Sequence, residues 1–179
     1  MRIKLLSSLT AFTTVLLLQA CSNEPEVLVL SEAQGEYSRP NILLIVADDL
    51  GYADLGFYGG EIPTPNIDSL ASQGMLLTDF YTSLTCGPTR SMLMSGTENH
   101  LAGVGVQGEN GSSHPQQQNL PGYLGSLNFR VASLAELMTD AGYNSYMTGK
   151  WHLGFDVEHG PHQRGFKKSF VSMDGAAHL

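Results

Sequence analysis

"PNILLIVADDL", residues 40–50, is apolar from Ile42 to Ala47 and closes on two aspartates, with Gly51 next. An apolar run without alternation suits a strand buried on both faces of a parallel sheet. Outward from it, "TPNIDSLASQG" predicts a helix. Thr64 can cap it, Pro65 fits the first helical position, Ile67, Leu70 and Ala71 share one face, and Gly74 ends it. "SLAELMTDAG" repeats the plan with a capping box, Ser133 and Glu136. Its predicted buried stripe is Leu134, Leu137, Met138 and Ala141, closed by Gly142. "YNSYMTG" then reads as a strand leading into "KWHLG". Strand, helix, helix, strand with glycine stops predicts an α/β layered fold. Between Ala102 and Asn128 a stretch rich in Gly, Gln, Ser and Pro predicts a long loop, functional or disordered.

Bulk composition agrees with a folded domain. The chain has 179 residues, 42% hydrophobic and 15% charged, enough for one core. Its formal charge of −8 argues against nucleic acid as a partner, because phosphate binding needs a basic stripe. The same charge repels a sulfated or phosphorylated substrate at long range, so any anion site must be a local basic pocket.

The first residues read as a targeting segment. Arg2 and Lys4 form a charged start, an apolar run follows, and Ala20 precedes Cys21. A plain secretory signal or an uncleaved anchor is the simpler reading. The cysteine directly after Ala20, with Leu18 three positions before it, resembles the lipobox of bacterial lipoproteins. That resemblance implies residues 1–20 as signal peptide, a lipid anchor to the membrane through Cys21, and residues 21–38 as a polar tether. Ser22 after the cysteine points by the same resemblance to export to the periplasmic face, at the outer membrane of a Gram-negative cell. The chain has two cysteines, so a lipidated Cys21 leaves Cys86 without a disulfide partner.

Three stretches could carry chemistry. Asp48 and Asp49 sit where ligands gather in α/β sheets, at the carboxyl end of a strand. Neighbouring side chains on a strand point to opposite faces, so both reach one ion only if the backbone turns there, and Gly51 is expected to supply the turn. Two carboxylates without His or Cys suit a hard cation; the plain alternative is an acidic turn. Lys150 and His152, spaced by two at a strand end, are expected to face the same way and form a small anion pocket. The alternative there is a surface lysine beside a hydrogen-bonded histidine. In "CGPTRSMLMSG", Pro88 fits the first turn of a helix with Met92 or Leu93 inward. Cys86 then sits at the helix N-terminus, with Arg90 one turn on, a setting that also suits a reactive thiol.

Together these stretches resemble the sulfatase family, in particular the bacterial arylsulfatases. "CGPTRSMLMSG" resembles the family's Cys-x-Pro-x-Arg signature. "RPNILLIVADDLGYADLGFYGG", "TPNIDSLASQGM" and "YMTGKWHLG" are similar to its other N-terminal blocks, in order and spacing. The resemblance covers residues 39–179, read as the N-terminal part of a sulfatase catalytic domain. It implies an alkaline-phosphatase-like α/β fold with a central, largely parallel sheet flanked by helices, incomplete at the C-terminus. It further implies that a formylglycine-generating maturation enzyme oxidises Cys86 to an aldehyde, which hydrates to a diol. One diol hydroxyl attacks sulfur and displaces the alcohol or phenol; the other lets the sulfated diol collapse and expel sulfate. By the same resemblance Asp48, Asp49 and residue 86 bind Ca²⁺, with Mg²⁺ the alternative. Arg90 steadies the diol, Lys150 bridges sulfate and diol, and His152 hydrogen-bonds a diol hydroxyl.

The resemblance thus implies a sulfuric ester hydrolase acting on an aryl or carbohydrate sulfate. Two alternatives are a phosphonate or phosphodiester hydrolase of the same superfamily and a truncated, non-catalytic lipoprotein that binds anions or glycans. The family's second active-site histidine, further metal-ligand pair and second lysine have no matching positions here. His178 is in a different setting, and His100, His114, His159 and His162 are expected to be surface residues. The residues present are therefore expected to bind the ion weakly and to turn over little. The final stretch, "SFVSMDGAAHL", reads as a cut end.

Overall fold

The computed structural model describes residues 39–108 and 114–175. The proposed signal peptide, Cys21, the tether and His178 lie outside the described residues. The chain divides into two units at Leu44 and Ile45. In the first, the described residues 39–44 form no helix or strand and are exposed. The second holds helices α1 (Pro65–Gln73), α2 (Cys86–Ser95) and α3 (Leu134–Asp140) and strands β1 (Ser145–Lys150) and β2 (Phe166–Ser172).

Strands β1 and β2 pair in parallel, from Ser145 opposite Phe166 to Lys150 opposite Ser172. A parallel pair needs a crossover. Here it is made by two 3-10 turns, Val157–His159 and Pro161–Arg164, in place of a helix. Strand β2 is silent in the sequence, since its residues "FKKSFVS" mix apolar and charged side chains without a clean period.

The core gathers Met94, Ala102, Val104, Leu127, Trp151 and Leu153. Trp151 donates its indole N–H to the His159 carbonyl at 2.8 Å and meets the Phe166 ring edge-on. Two ends of the expected loop, Ala102 to Val104 and Leu127, are therefore core. An antiparallel bridge between Val104 and Tyr123 closes the stretch on itself. Its small and polar residues hide this role from any periodicity test.

Caps follow the sequence closely, whereas buried stripes do not. Ser133 Oγ accepts from the Glu136 N–H at 3.1 Å, and Glu136 Oε2 accepts from the Ser133 N–H at 2.6 Å. At the other end Gly142, at φ 82°, bonds Thr139 and lets Tyr143 bond Met138, the paired closure of a Schellman motif. Thr64 does not cap α1 through its side chain; its hydroxyl links the Gly56 N–H to Asp68.

Of the expected stripe of α1, Ile67 and Leu70 are exposed, Leu70 at 69%, and only Ala71 is partly buried, while in α3 it is Ala135 that is buried and Leu134 and Leu137 face outward. In α2 the buried positions are Gly87, Pro88, Ser91 and Met94, with Leu93 partly buried against the core. The run Ile42–Ala47 forms no ladder among the described residues, and Leu43 and Ile45 are 83% and 77% exposed. An apolar run becomes a buried strand only where neighbours flank it on both sides and layers cover it. The described sheet offers one ladder, and β1 and β2 fill it.

Arg164, 1% exposed, fastens α3 to the crossover. It pairs with Glu136 at 3.1 Å and donates to the carbonyls of Leu127, Asn128 and Val131 at 2.9, 3.0 and 2.6 Å. Its own carbonyl accepts from Ser133 Oγ at 2.6 Å. Replacing Arg164 by Leu strands three carbonyls and the capping carboxylate. Urea unfolding of Arg164→Leu should show a loss of about 3 kcal/mol; an unchanged midpoint would refute this account of the fastening.

Candidate active site

Helix α2 places the first component. Thr85, its N-cap, is extended, and Cys86 is its first residue. Gly87 and Pro88 are buried beneath it. A Cβ on Gly87 would touch Val104 at 3.5 Å and the His152 carbonyl at 3.6 Å, so helix, loop and the "KWHLG" segment converge under Cys86. Arg90 lies four residues on, one turn later on the same face. Its Nε donates to Cys86 Sγ at 3.1 Å, its Nη1 donates to the Lys150 carbonyl at 2.7 Å, and its Nη2 stands 3.7 Å from Asp48 Oδ1.

The end of β1 places the second component. Lys150 Nζ donates to both carboxylate oxygens of Asp48, at 2.9 and 3.3 Å. Cys86 Sγ also reaches Asp48 Oδ1, at 3.5 Å. Lysine and arginine side chains are mostly covered, 17% and 12% exposed, while Asp48 is 47% exposed. The bond from Lys150 holds the Asp48 carboxyl below its ordinary range against the opposing effect of burial, helped by the Lys150 charge and, to a lesser degree, by Cys86 and Arg90. For Lys150, burial pulls downward, but its bonds to Asp48 and Cys86 together raise it. Two cations thus meet a single carboxylate around the Cys86 sulfur, the local basic pocket that an acidic chain needs to hold an anion.

His152 completes the group by a route the spacing does not give. It lies beyond the strand end at φ 57°, so strand alternation does not place it beside Lys150. The ring is buried, 5% exposed, and its Nδ1 is without a hydrogen-bond partner among the described residues. Gly175 packs on the ring, where a Cβ would come within 2.7 Å of Cε1. Burial first, then the charges of Lys150 and Arg90, push the imidazole below its ordinary value, so it is neutral at pH 7.

Asp49 also has a left-handed backbone, φ 54°, whereas Gly51 is extended at φ −80°. The turn after the two aspartates is therefore made at Asp49 itself, and the expected role of Gly51 is corrected. A non-glycine residue there costs on the order of 1–3 kcal/mol and persists where the surroundings impose it. Two such residues, Asp49 and His152, belong to the set singled out from sequence.

The structure brings Cys86, Arg90, Lys150 and Asp48 into direct contact and sets His152 in their field. Asp49 reaches the turn but makes no hydrogen bond or ion pair with a described residue. As donors for a hard cation, the carboxylates of Asp48 and Asp49 fit by type. They do not fit by number: among the described residues no group of three His, Cys, Asp or Glu side chains could hold a metal ion, whereas Ca²⁺ takes 6–8 oxygens. His100 pairs with Glu98 and His159 with Asp156, both at the surface, and His114 and His162 are exposed, as expected.

One residue escaped the sequence reading. Gln107 Oε1 accepts from the Cys86 backbone N–H at 3.2 Å. A glutamine in a polar loop carries no local signal, and only the fold brings it to the helix.

The depressed value of His152 has a definite sign. The unfolded chain binds the proton more readily, so this residue contributes stability that is present above about pH 6.5 and lost as pH falls through the folded value. An NMR titration of the imidazole should show a midpoint below the ordinary value, and Lys150→Met should raise it by removing a neighbouring positive charge. A midpoint at or above the ordinary value would contradict the burial described.

The sulfatase family model matches residues 40–177. An uncharacterized sulfatase of Schizosaccharomyces pombe is 50% identical over 143 residues, covering 79% of this chain and 26% of the relative. An arylsulfatase of Klebsiella aerogenes is 45% identical over 140 residues, covering 78% of this chain and 29% of that one. Among solved structures, Ps i-CgsB in complex with k-i-k-neocarrahexaose superposes with a TM-score of 0.65 at 36% identity, over 77% of this chain and 29% of that one. The chain therefore spans roughly a quarter of the length of these relatives. The superposition agrees with the expected alkaline-phosphatase-like α/β fold. With the match running across both the Asp48 turn and the Lys150 strand end, the chain belongs to the sulfatase family.

Proposed function

We propose that this chain carries the nucleophile and anion-binding half of a sulfuric ester hydrolase of arylsulfatase type. The observation that carries the reading is the cluster at the start of α2, where Arg90 and Lys150 converge on Cys86 and Asp48. A thiol ringed by two cations and a carboxylate is in a setting made for a polar, charge-bearing reaction. The arylsulfatase relative and the oligosaccharide-bound structural neighbour support an aryl or carbohydrate sulfate as substrate.

Each residue has a physical task. Lys150 and Arg90 bind the sulfuryl oxygens and stabilise the charge that builds on them, in a setting where both are largely withdrawn from water. Arg90 also fixes the side chain of residue 86, one turn away. His152, neutral at pH 7, offers a buried ring nitrogen for exchange of a hydroxyl proton. Conversion of Cys86 to formylglycine by a maturation enzyme would supply a hydrated aldehyde, with one hydroxyl to take up the sulfuryl group and another to release it. Asp48 and Asp49 would help hold a divalent cation, Ca²⁺ or Mg²⁺, whose chemistry is Lewis-acid activation of the nucleophile. Residues 1–21 support export and a lipid anchor at the periplasmic face through Cys21.

The reading is tested with the protein expressed from its full reading frame beside a maturation system. Mass spectrometry should find formylglycine at residue 86, and Cys86→Ala should abolish sulfate ester hydrolysis. Lys150→Ala should lower kcat by about 10²–10³-fold. In a panel of sulfate, phosphodiester and phosphonate esters, preferential cleavage of the phosphonate would overturn the sulfatase assignment. Retention of an unmodified thiol, with glycan binding intact in Cys86→Ala, would favour the non-catalytic binder. For the anchor, Cys21→Ala should move the exported protein from the membrane fraction to the soluble one, and continued membrane attachment would refute it.

A further inference from the structure

The stretch between Ala102 and Asn128 brings to the site a residue without a role so far, Gln107. Its Oε1 accepts the Cys86 N–H at 3.2 Å, from 21 residues away in sequence. The first N–H groups of a helix have no partner within it, and the N-cap Thr85 offers no side-chain bond. Gln107 supplies from a distance an acceptor for the N–H of the first helical residue, which an N-cap side chain does not serve. An amide facing an N–H must present its oxygen, so the orientation of the group follows from its chemistry.

The arm that carries Gln107 is held firmly. Val104 is buried, its N–H bonds the Asn99 carbonyl at 2.8 Å, and its carbonyl accepts from Asn99 Nδ2 at 3.1 Å. Gly105 donates to the Gly122 carbonyl at 2.7 Å. Val104 Cγ1 lies at contact distance from where a Cβ on Gly87 would stand, so arm and helix start are packed together beside the bond. The Gln107 side chain is exposed, and packing does not dictate its identity.

We propose that Gln107 is a positioning residue for the nucleophile. By holding the backbone N–H of residue 86 it fixes the first turn of α2, and with it the direction from which that side chain meets Lys150, Arg90 and the substrate. It also takes this N–H out of anion binding and leaves the sulfuryl oxygens to Arg90 and Lys150. The inference rests on residue 86 being the nucleophile. A reacting group displaced by about 1 Å can lose 10²-fold in rate, so loss of one neutral tether of this kind corresponds to about tenfold.

The test compares Gln107→Met, which keeps the length and loses the acceptor, with Gln107→Glu, which restores an acceptor. In the full protein, amide hydrogen exchange at residue 86 should quicken about tenfold in Gln107→Met and slow again in Gln107→Glu, with exchange in α3 and β1 unchanged. On a sulfate ester, kcat should fall about tenfold in Gln107→Met with KM within about twofold, and recover in Gln107→Glu. Unchanged exchange and unchanged kcat in Gln107→Met would overturn the proposal, as would a loss that Gln107→Glu does not recover. If the parent protein itself hydrolyses no sulfate ester, the functional reading fails, while exchange at residue 86 still decides whether Gln107 holds it.

Discussion

Arg90 is the tie on which the site depends. One guanidinium touches the sulfur of Cys86, the carbonyl that ends β1 and the field of the Asp48 carboxylate. Those three points come from a helix start, a strand end and a turn far apart in sequence. Five donors in a rigid fork can serve all three at once, which the point charge of a lysine cannot. The cost of withdrawing this cation from water is offset by Asp48 and by the carbonyl dipole. Asp48 in turn is shared with Lys150, so neither cation is left unpaired and neither is fully neutralised.

The segment from Lys150 to Leu153 shows how fold and chemistry are laid on one short stretch. Trp151 and Leu153 are fully buried in the core, while Lys150 and His152 belong to the site. The core residues act as an anchor that sets the height of the polar ones. The left-handed backbone at His152 lets the chain leave the strand without releasing either neighbour from the core. Strain of this sort is stable because packing on both sides leaves the residue no cheaper conformation.

Much of this was legible in the sequence where the signal is local. The capping box at Ser133, the glycine after α3 and the start of α2 at Cys86 depend on residues within one turn of each other, and the structure has all three. The set Asp48, Cys86, Arg90, Lys150 was legible only through the resemblance of several stretches together to one family, since each stretch alone also fits an acidic turn, a surface lysine or a reactive thiol. What could not be read is what depends on distant partners: the core role of Ala102, Val104 and Leu127, the pairing of β2, and the reach of Gln107 to Cys86. The apolar faces of α1 and of Ile42–Ala47 show the converse, since periodicity states what a segment can bury and not which layer covers it.

The bond between Arg90 and the Lys150 carbonyl joins residues 60 positions apart, and that separation has a consequence in time. Helix α2 closes through contacts within ten residues of chain, but the second cation of the pocket does not exist until β1 has been made. At ordinary synthesis speeds those 60 residues take roughly 3 to 12 seconds to appear. For that interval residue 86 has Asp48 and Arg90 beside it but lacks the Lys150 cation and the His152 ring. The order of residues along the chain thus sets a clock, in which the cysteine and its arginine come first and the lysine that completes the pocket comes last.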